Sequence, residues 1–232
     1  MPKGWSKGET KETHESVKKI SNTMRERGVD NFKGWREEAK RSGRIPREYP
    51  ELERNGDLAE FIGVVLGDGH IQKFPRTERI LIFSNASNTG FVERYTRLMR
   101  ELFAKEPYVY KVTGQECIRI GIYQKHISDR LQIPIGARKD LYLPVPEWIL
   151  SNDDYVVRYL RGLYEAEGSE SHHTPTSTHK FVFSNTNQSL LQNVFELLTR
   201  LGFHPHMDPK RVQLSRKAEV QSAIKLLQFR EY

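Results

Sequence analysis

Cysteine is almost absent from this 232-residue chain. A single residue, Cys117, excludes an internal disulfide and any multi-cysteine zinc site, and fits a reducing compartment. Long apolar runs are missing as well. None approaches the roughly 20 residues that a membrane span needs, and the basic, polar N-terminus lacks the apolar stretch of a signal peptide. The expectation is an intracellular protein with no membrane partner. Charge, by contrast, is plentiful: 29% of residues are charged and 37% apolar, with a formal net charge of +7. A chain of this length buries one sizeable core or two small ones that share an interface. Its positive excess favours a polyanionic partner, because Lys and Arg gain affinity by displacing counterions condensed on phosphates.

Residues 1–56 read as a basic appendage, rich in Lys, Arg and Glu and broken by Gly and Pro. Within it Thr13 is placed to cap a helix in which Val17, Ile20 and Met24 recur at helical spacing, leaving Lys18 and Lys19 exposed. From Asp57 onward the chain reads twice, the second pass about one hundred residues after the first. Phe61–Gly69 (FIGVVLGDG) answers Leu160–Gly168 (LRGLYEAEG), and Ile82-Phe83-Ser84-Asn85 answers Val182-Phe183-Ser184-Asn185. Each Ser-Asn precedes a helical pattern, Phe91 to Phe103 and Leu190 to Leu201. Two short alternating segments and a closing helix follow, the helices beginning near Lys125 and Lys217. The expected fold class is α+β, with two pseudo-symmetric αββαββα repeats at 57–133 and 151–232. Residues 134–150 form the linker, where Pro134, Pro144 and Pro146 forbid a continuous helix.

The first motif begins at Asp57-Leu58-Ala59-Glu60, a capping-box pattern, and the second at the acid-rich Ser151-Asn152-Asp153-Asp154, so both motifs are expected on helices. Gly63 and Gly67 in one, Gly162 and Ala166 in the other, place small residues four apart on one face, where a second backbone can approach closely. Helices packed through those faces bring Asp68 and Glu167 to one end. That end is negative from its free carbonyls, so two adjacent carboxylates call for a cation between them, and oxygen-only ligands open to phosphate favour magnesium over zinc. His172, His173 and His179 do not make a zinc site, since neighbours on a strand face opposite ways and no cysteine is near.

These residues resemble the LAGLIDADG homing endonuclease family, whose namesake motif is similar to Phe61–Gly69 and Leu160–Gly168. The resemblance implies motif helices packed at the centre and two four-stranded sheets forming a saddle over the DNA major groove. It implies metal binding at Asp68 and Glu167, with Gly67 and Ala166 in the ligand set, and Mg2+ as cofactor with Mn2+ able to substitute. It further implies hydrolysis of both strands of a long double-stranded target, leaving 3′ overhangs, by an intron-encoded monomer. The motifs depart from the consensus at Leu66, where an earlier acid is usual, and at Glu167, where Asp is usual; unequal cutting of the two strands would follow. A free-standing enzyme is expected rather than an intein, for want of the residues of protein splicing. Residues 3–20 also resemble a short DNA-binding module found beside homing nucleases, which implicates Lys18 and Lys19.

Family members place a basic side chain near the attacking water in each half, and Lys125 and Lys217 are the candidates by position. Base readers are expected among outward strand residues: Gln72, Lys73, Arg76, Arg79, Lys111 and Arg119 in the first repeat. In the second they are Ser171, His173, Thr176, Thr178, Lys180, Arg211 and Gln213. Two alternatives use the same scaffold: an RNA-binding splicing cofactor with host intron RNA as partner, and a DNA-binding regulator that does not cut.

Overall fold

The structure is a computed structural model that describes residues 8–45, 48–173 and 178–232, and for His173 the backbone alone. It divides into two compact units, Met1–Tyr49 and Pro50–Tyr232.

In the first unit, helix α1 (Glu15–Glu26) is capped by His14, not by Thr13 as the sequence suggested. The His14 ring accepts from Ser16 N–H at 3.2 Å, while the Thr13 hydroxyl turns back to Glu9. Helix α2 (Lys33–Arg41) buries only Ala39. Lys18 and Lys19 are exposed on α1, the latter paired with Glu15.

The second unit holds two αββαββα repeats. The first runs α3 (Gly56–Asp68), β1 (Gly69–Phe74), β2 (Thr77–Asn85), α4 (Thr89–Phe103), β3 (Tyr108–Lys111), β4 (Cys117–Gln124) and α5 (Ile127–Leu131). A connector with one short helix, α6 (Glu147–Leu150), leads into the second. That repeat runs α7 (Asp153–Glu167), β5 (Gly168–His173), β6 (Thr178–Ser184), α8 (Gln188–Arg200), β7 (His206–Asp208), β8 (Arg211–Leu214) and α9 (Lys217–Leu227). Each repeat builds a four-stranded antiparallel sheet, ordered β1-β2-β4-β3 and β5-β6-β8-β7. No helix among the described residues is long and apolar enough to cross a membrane.

Local chemistry explains the shared layout. In each repeat the Asn after the Ser folds the chain off the sheet and into a helix: Asn85 Oδ1 accepts from Ser87 N–H, and Asn185 Oδ1 from Asn187 N–H. Such Asx turns offer the backbone an alternative to the ladder. Helix α3 is capped by Asn55, whose Oδ1 accepts from Leu58 N–H at 2.9 Å, and α7 by Asn152. The expected capping box at Asp57 and Glu60 does not form. Glu60 is fully buried, held by Arg94 through Nε and Nη2 (2.5 and 2.7 Å) and by Arg158 Nε at 2.7 Å, with Arg161 at 3.7 Å. Arg158 also pairs with Asp57. An acid of the first repeat is thus neutralised in part by bases of the second.

One apolar cluster spans both repeats. It contains Ile71, Ile80, Ile82, Ile120 and Ile122 from one sheet and Phe181, Phe183, Val212 and Leu214 from the other, gathered around α3 and α7. Strand alternation therefore fixes which side chains face the helices and which face outward.

Candidate metal centre and nucleic-acid interface

Helices α3 and α7 pack at their glycines. A Cβ on Gly63 would collide with the Tyr159 carbonyl and lie 3.0 Å from Leu163 N, and one on Gly162 would collide with the Glu60 carbonyl. Only backbone can occupy these places. Further along, a Cβ on Gly67 would run into the Ala166 methyl and stand 3.3 Å from Glu167 Cγ. The close approach carries through to the helix ends, so Asp68 and Glu167 finish side by side.

Neither carboxylate has a hydrogen bond or ion pair among the described residues. Asp68 reaches the surface, yet the protein around it displaces enough water to push its carboxyl from 3.8 up to about 6. Glu167, partly exposed, is pushed from 4.5 to about 7, chiefly by desolvation and then by the charge of Asp68. Two acids whose ionisation is opposed in this way gain from a cation between them. The donor set is oxygen only, and no group of three or more His, Cys, Asp or Glu suited to a metal occurs among the described residues. Such a pair fits a hard divalent ion that completes its shell with water and phosphate.

The basic group beside Asp68 comes from the connector. Arg138 Nη2 donates to Val65 O (2.8 Å) and Gly69 O (2.6 Å), bracketing Asp68 on both sides. Its Nη1 is buried without a partner, and burial lowers its proton affinity. The connector is itself bolted in place. Gly136 N–H donates to Ile71 O, while Asn187 Nδ2 donates to the carbonyls of Arg138 and Leu141. At α7 no described Arg or Lys makes the matching contact.

Lys125 and Lys217 are not the neighbours of the acids that the sequence suggested. Asp68 ends at the Gly69–Ile82–Ile120 level of the first sheet, whereas Lys125 follows Gln124, which pairs with Glu78 at the far, hairpin end. There Lys125 lines a cavity with Lys73, Arg76 and His126. Lys217 bears electrostatically on His179, whose partner His172 lies well along β5 from Glu167. The antiparallel register, invisible in sequence spacing, separates them.

Outward of the sheets, register groups the expected readers. Gln72, Arg79 and Arg119 share the open face of the first sheet, because their neighbours Ile71, Ile80 and Ile120 face the core. Lys73 and Lys111 carry the opposite parity and do not join them, and Arg76 lies in the β1–β2 turn. Ser171, Thr178, Lys180, Arg211 and Gln213 share the open face of the second sheet. His173 pairs with Thr178 through its backbone, and Thr176 lies outside the described residues. Tyr108, Tyr110 and His206 also fall on the open faces. Strand alternation could have indicated Tyr108 and Tyr110. The rings of His172 and His179 stack at 4.1 Å on the other side.

Two central helices that meet through glycine, each feeding a four-stranded antiparallel sheet, define the LAGLIDADG fold. Its second repeat, residues 154–231, matches the family model described as a LAGLIDADG-like domain. Among solved structures, the homing endonuclease I-DmoI in complex with DNA and Mn is similar (TM-score 0.51, 17% identity, 74% of this chain and 96% of that one). So is the N-terminal LAGLIDADG domain of DUF199/WhiA (TM-score 0.51, 15% identity, 77% and 85%). Both likenesses establish the fold. Two curated proteins of Methanocaldococcus jannaschii share sequence with it. A glutamine–fructose-6-phosphate aminotransferase is 28% identical over 160 residues, 68% of this chain and 14% of that protein. A DNA polymerase is 24% identical over 161 residues, 62% and 9%. The chain thus spans a small fraction of the curated relatives it matches.

Proposed function

We propose that this protein is a site-specific DNA endonuclease that hydrolyses both strands of a long double-stranded target with a divalent metal ion, leaving 3′ overhangs. The observation that carries the reading is the meeting of Asp68 and Glu167 at the ends of two glycine-packed helices, both resisting ionisation and neither paired with a base among the described residues. Their carboxylates, with the backbone at Gly67 and Ala166, would hold the ion, Mg2+ or Mn2+. When bound, the ion neutralises charge at the scissile phosphate and lowers the pKa of water. Asp68 and Glu167 must shed protons to bind it, so binding tightens as pH rises through 6 and 7. Arg138 holds the carbonyls on either side of Asp68 and so fixes where that carboxylate sits. Gln72, Arg79 and Arg119 on one sheet, with Ser171, His173, Thr178, Lys180, Arg211 and Gln213 on the other, meet base edges. Lys18 and Lys19 add phosphate contacts. The repeats, at 57–133 and 151–232 about the 134–150 linker, act as one monomer, and its gene lies within an intron.

The I-DmoI complex with DNA and Mn supports both the duplex partner and the ion. The equal fold match to DUF199/WhiA favours, as a second reading, a DNA-binding regulator that does not cut. Incubation with a plasmid carrying the intron-insertion site separates them. Linear product with magnesium and none with chelator is expected, lost in Asp68→Asn and in Glu167→Gln while duplex binding persists. Duplex binding without any cleavage would support the regulator instead.

A further inference from the structure

The open face of the first sheet carries one basic side chain held far more firmly than any other. Arg79 lies on β2. Its Nη2 donates to Gln72 Oε1 at 2.5 Å across to β1, and its Nη1 donates to Tyr123 Oη at 3.3 Å across to β4. The guanidinium carbon sits 5.5 Å from the Phe74 ring centroid and 5.8 Å from that of Tyr123, which in turn stacks on Tyr108. Three strands therefore orient one planar cation. Of its five N–H groups, two are engaged by these contacts and the Nε proton is buried without a partner. Tyr108 also bears on the group, and the donors left on the terminal nitrogens suit the paired acceptors O6 and N7 of guanine.

Other cations on the open faces are set differently. Lys180, its counterpart on β6, has no partner among the described residues and a single ammonium, which suits a phosphate or any acceptor. Arg211 is tied through Nε to Asp208 at 2.6 Å. Arg119 rests over Phe83, with no orienting acceptor among the described residues.

We infer that Arg79 is a specificity-determining residue that selects a guanine in the half-site met by the first repeat, with Gln72 and Tyr123 as its positioning residues. The assignment rests on the proposed binding of duplex DNA in the major groove, and no part of it depends on cleavage. A preoriented fork gives up little side-chain entropy on binding and rejects a base that offers no paired acceptors. The second repeat, lacking such a fork at Lys180, discriminates less at the matching position.

Selection of the full chain against randomised duplexes, with calcium in place of magnesium, tests this by reading base preference position by position. The wild type should enrich one guanine strongly on the first-repeat side. Arg79→Ala should lower that preference about tenfold or more and leave other positions intact. Arg79→Lys should fail to restore it, while Gln72→Ala and Tyr123→Phe should weaken the same position a few-fold. Lys180→Ala should leave it unchanged. An undiminished guanine in Arg79→Ala, or an equal loss at every position, would overturn the assignment. Enrichment of no sequence by the wild type would sink the DNA-binding reading and this inference with it.

Discussion

The two repeats share a topology but not a chemistry. Helix α3 ends at Asp68 and is bracketed by Arg138; α7 ends at Glu167 with no such brace among the described residues. At the other end of the pair the asymmetry concerns charge: α3 supplies the acids Asp57 and Glu60, and α7 supplies Arg158 and Arg161. Pairing α3 with a second α3 would face acid with acid, so the charges favour pairing between the unlike helices α3 and α7. The difference teaches that backbone symmetry is kept where glycines must meet, and is abandoned where side chains set partner and reactivity.

The largest effect should come from breaking the charge asymmetry. Glu60→Ala leaves Arg94, Arg158 and Arg161 around a fully buried gap, and removing one member of a buried ion pair costs about 3–5 kcal/mol. Chemical denaturation should show that loss, whereas Arg158→Ala, at a more exposed group, should cost clearly less. Next comes the shared element. Gly63→Ala and Gly162→Ala each push a methyl into a facing carbonyl, and overpacking of this kind costs about 1–3 kcal/mol. Similar losses in both variants would sharpen the view that the contact is symmetric; a neutral Gly162→Ala would break it. The caps should give a smaller, matched pair of effects, with Asn55→Ala and Asn152→Ala each costing about 1 kcal/mol in thermal melts.

The smallest effect is the pH dependence of metal-free stability. Asp68 and Glu167 have folded pKa values near 6 and 7, above their ordinary 3.8 and 4.5. A raised carboxyl binds more protons in the folded state, so its contribution is full below about pH 4 and is lost as pH rises through 6 and 7. Unfolding curves of the chelated protein should therefore weaken over that window. Asp68→Asn combined with Glu167→Gln should flatten the slope, and Asp68, the more exposed group, should account for the lesser part.

Much of this architecture was legible in the sequence because it is periodic. The repeated motifs, the small residues on one helix face and the alternation at Val212 and Leu214 each report packing directly: Val212, Leu214 and the motif residues Phe61 and Leu163 are buried, and the glycines meet the facing backbone. The caps were displaced because Asn55 precedes the motif, while Glu60, which mimics a capping acid, is claimed by arginines distant in sequence. Arg138 was missed for a related reason. It sits in a connector with no helical or strand period, and only tertiary hydrogen bonds from Gly136 and Asn187 bring it under α3. Lys125 and Lys217 failed in the opposite direction: closeness to a strand end in sequence does not say which end of the sheet that is. Lys73 and Lys111 illustrate the period-two rule, since one residue of register turns a side chain to the other face.

Proton release on ion binding tests the pairing of the two acids most directly. Titrating Mn2+ into the full chain at pH 6 should displace protons from Asp68 and Glu167, with far less released at pH 8, where both are already ionised. Either single variant, Asp68→Asn or Glu167→Gln, should weaken binding severely, and the double variant should add little more because both acids serve one centre. Unchanged Mn2+ affinity in the double variant, or proton release that does not depend on these two residues, would contradict the account.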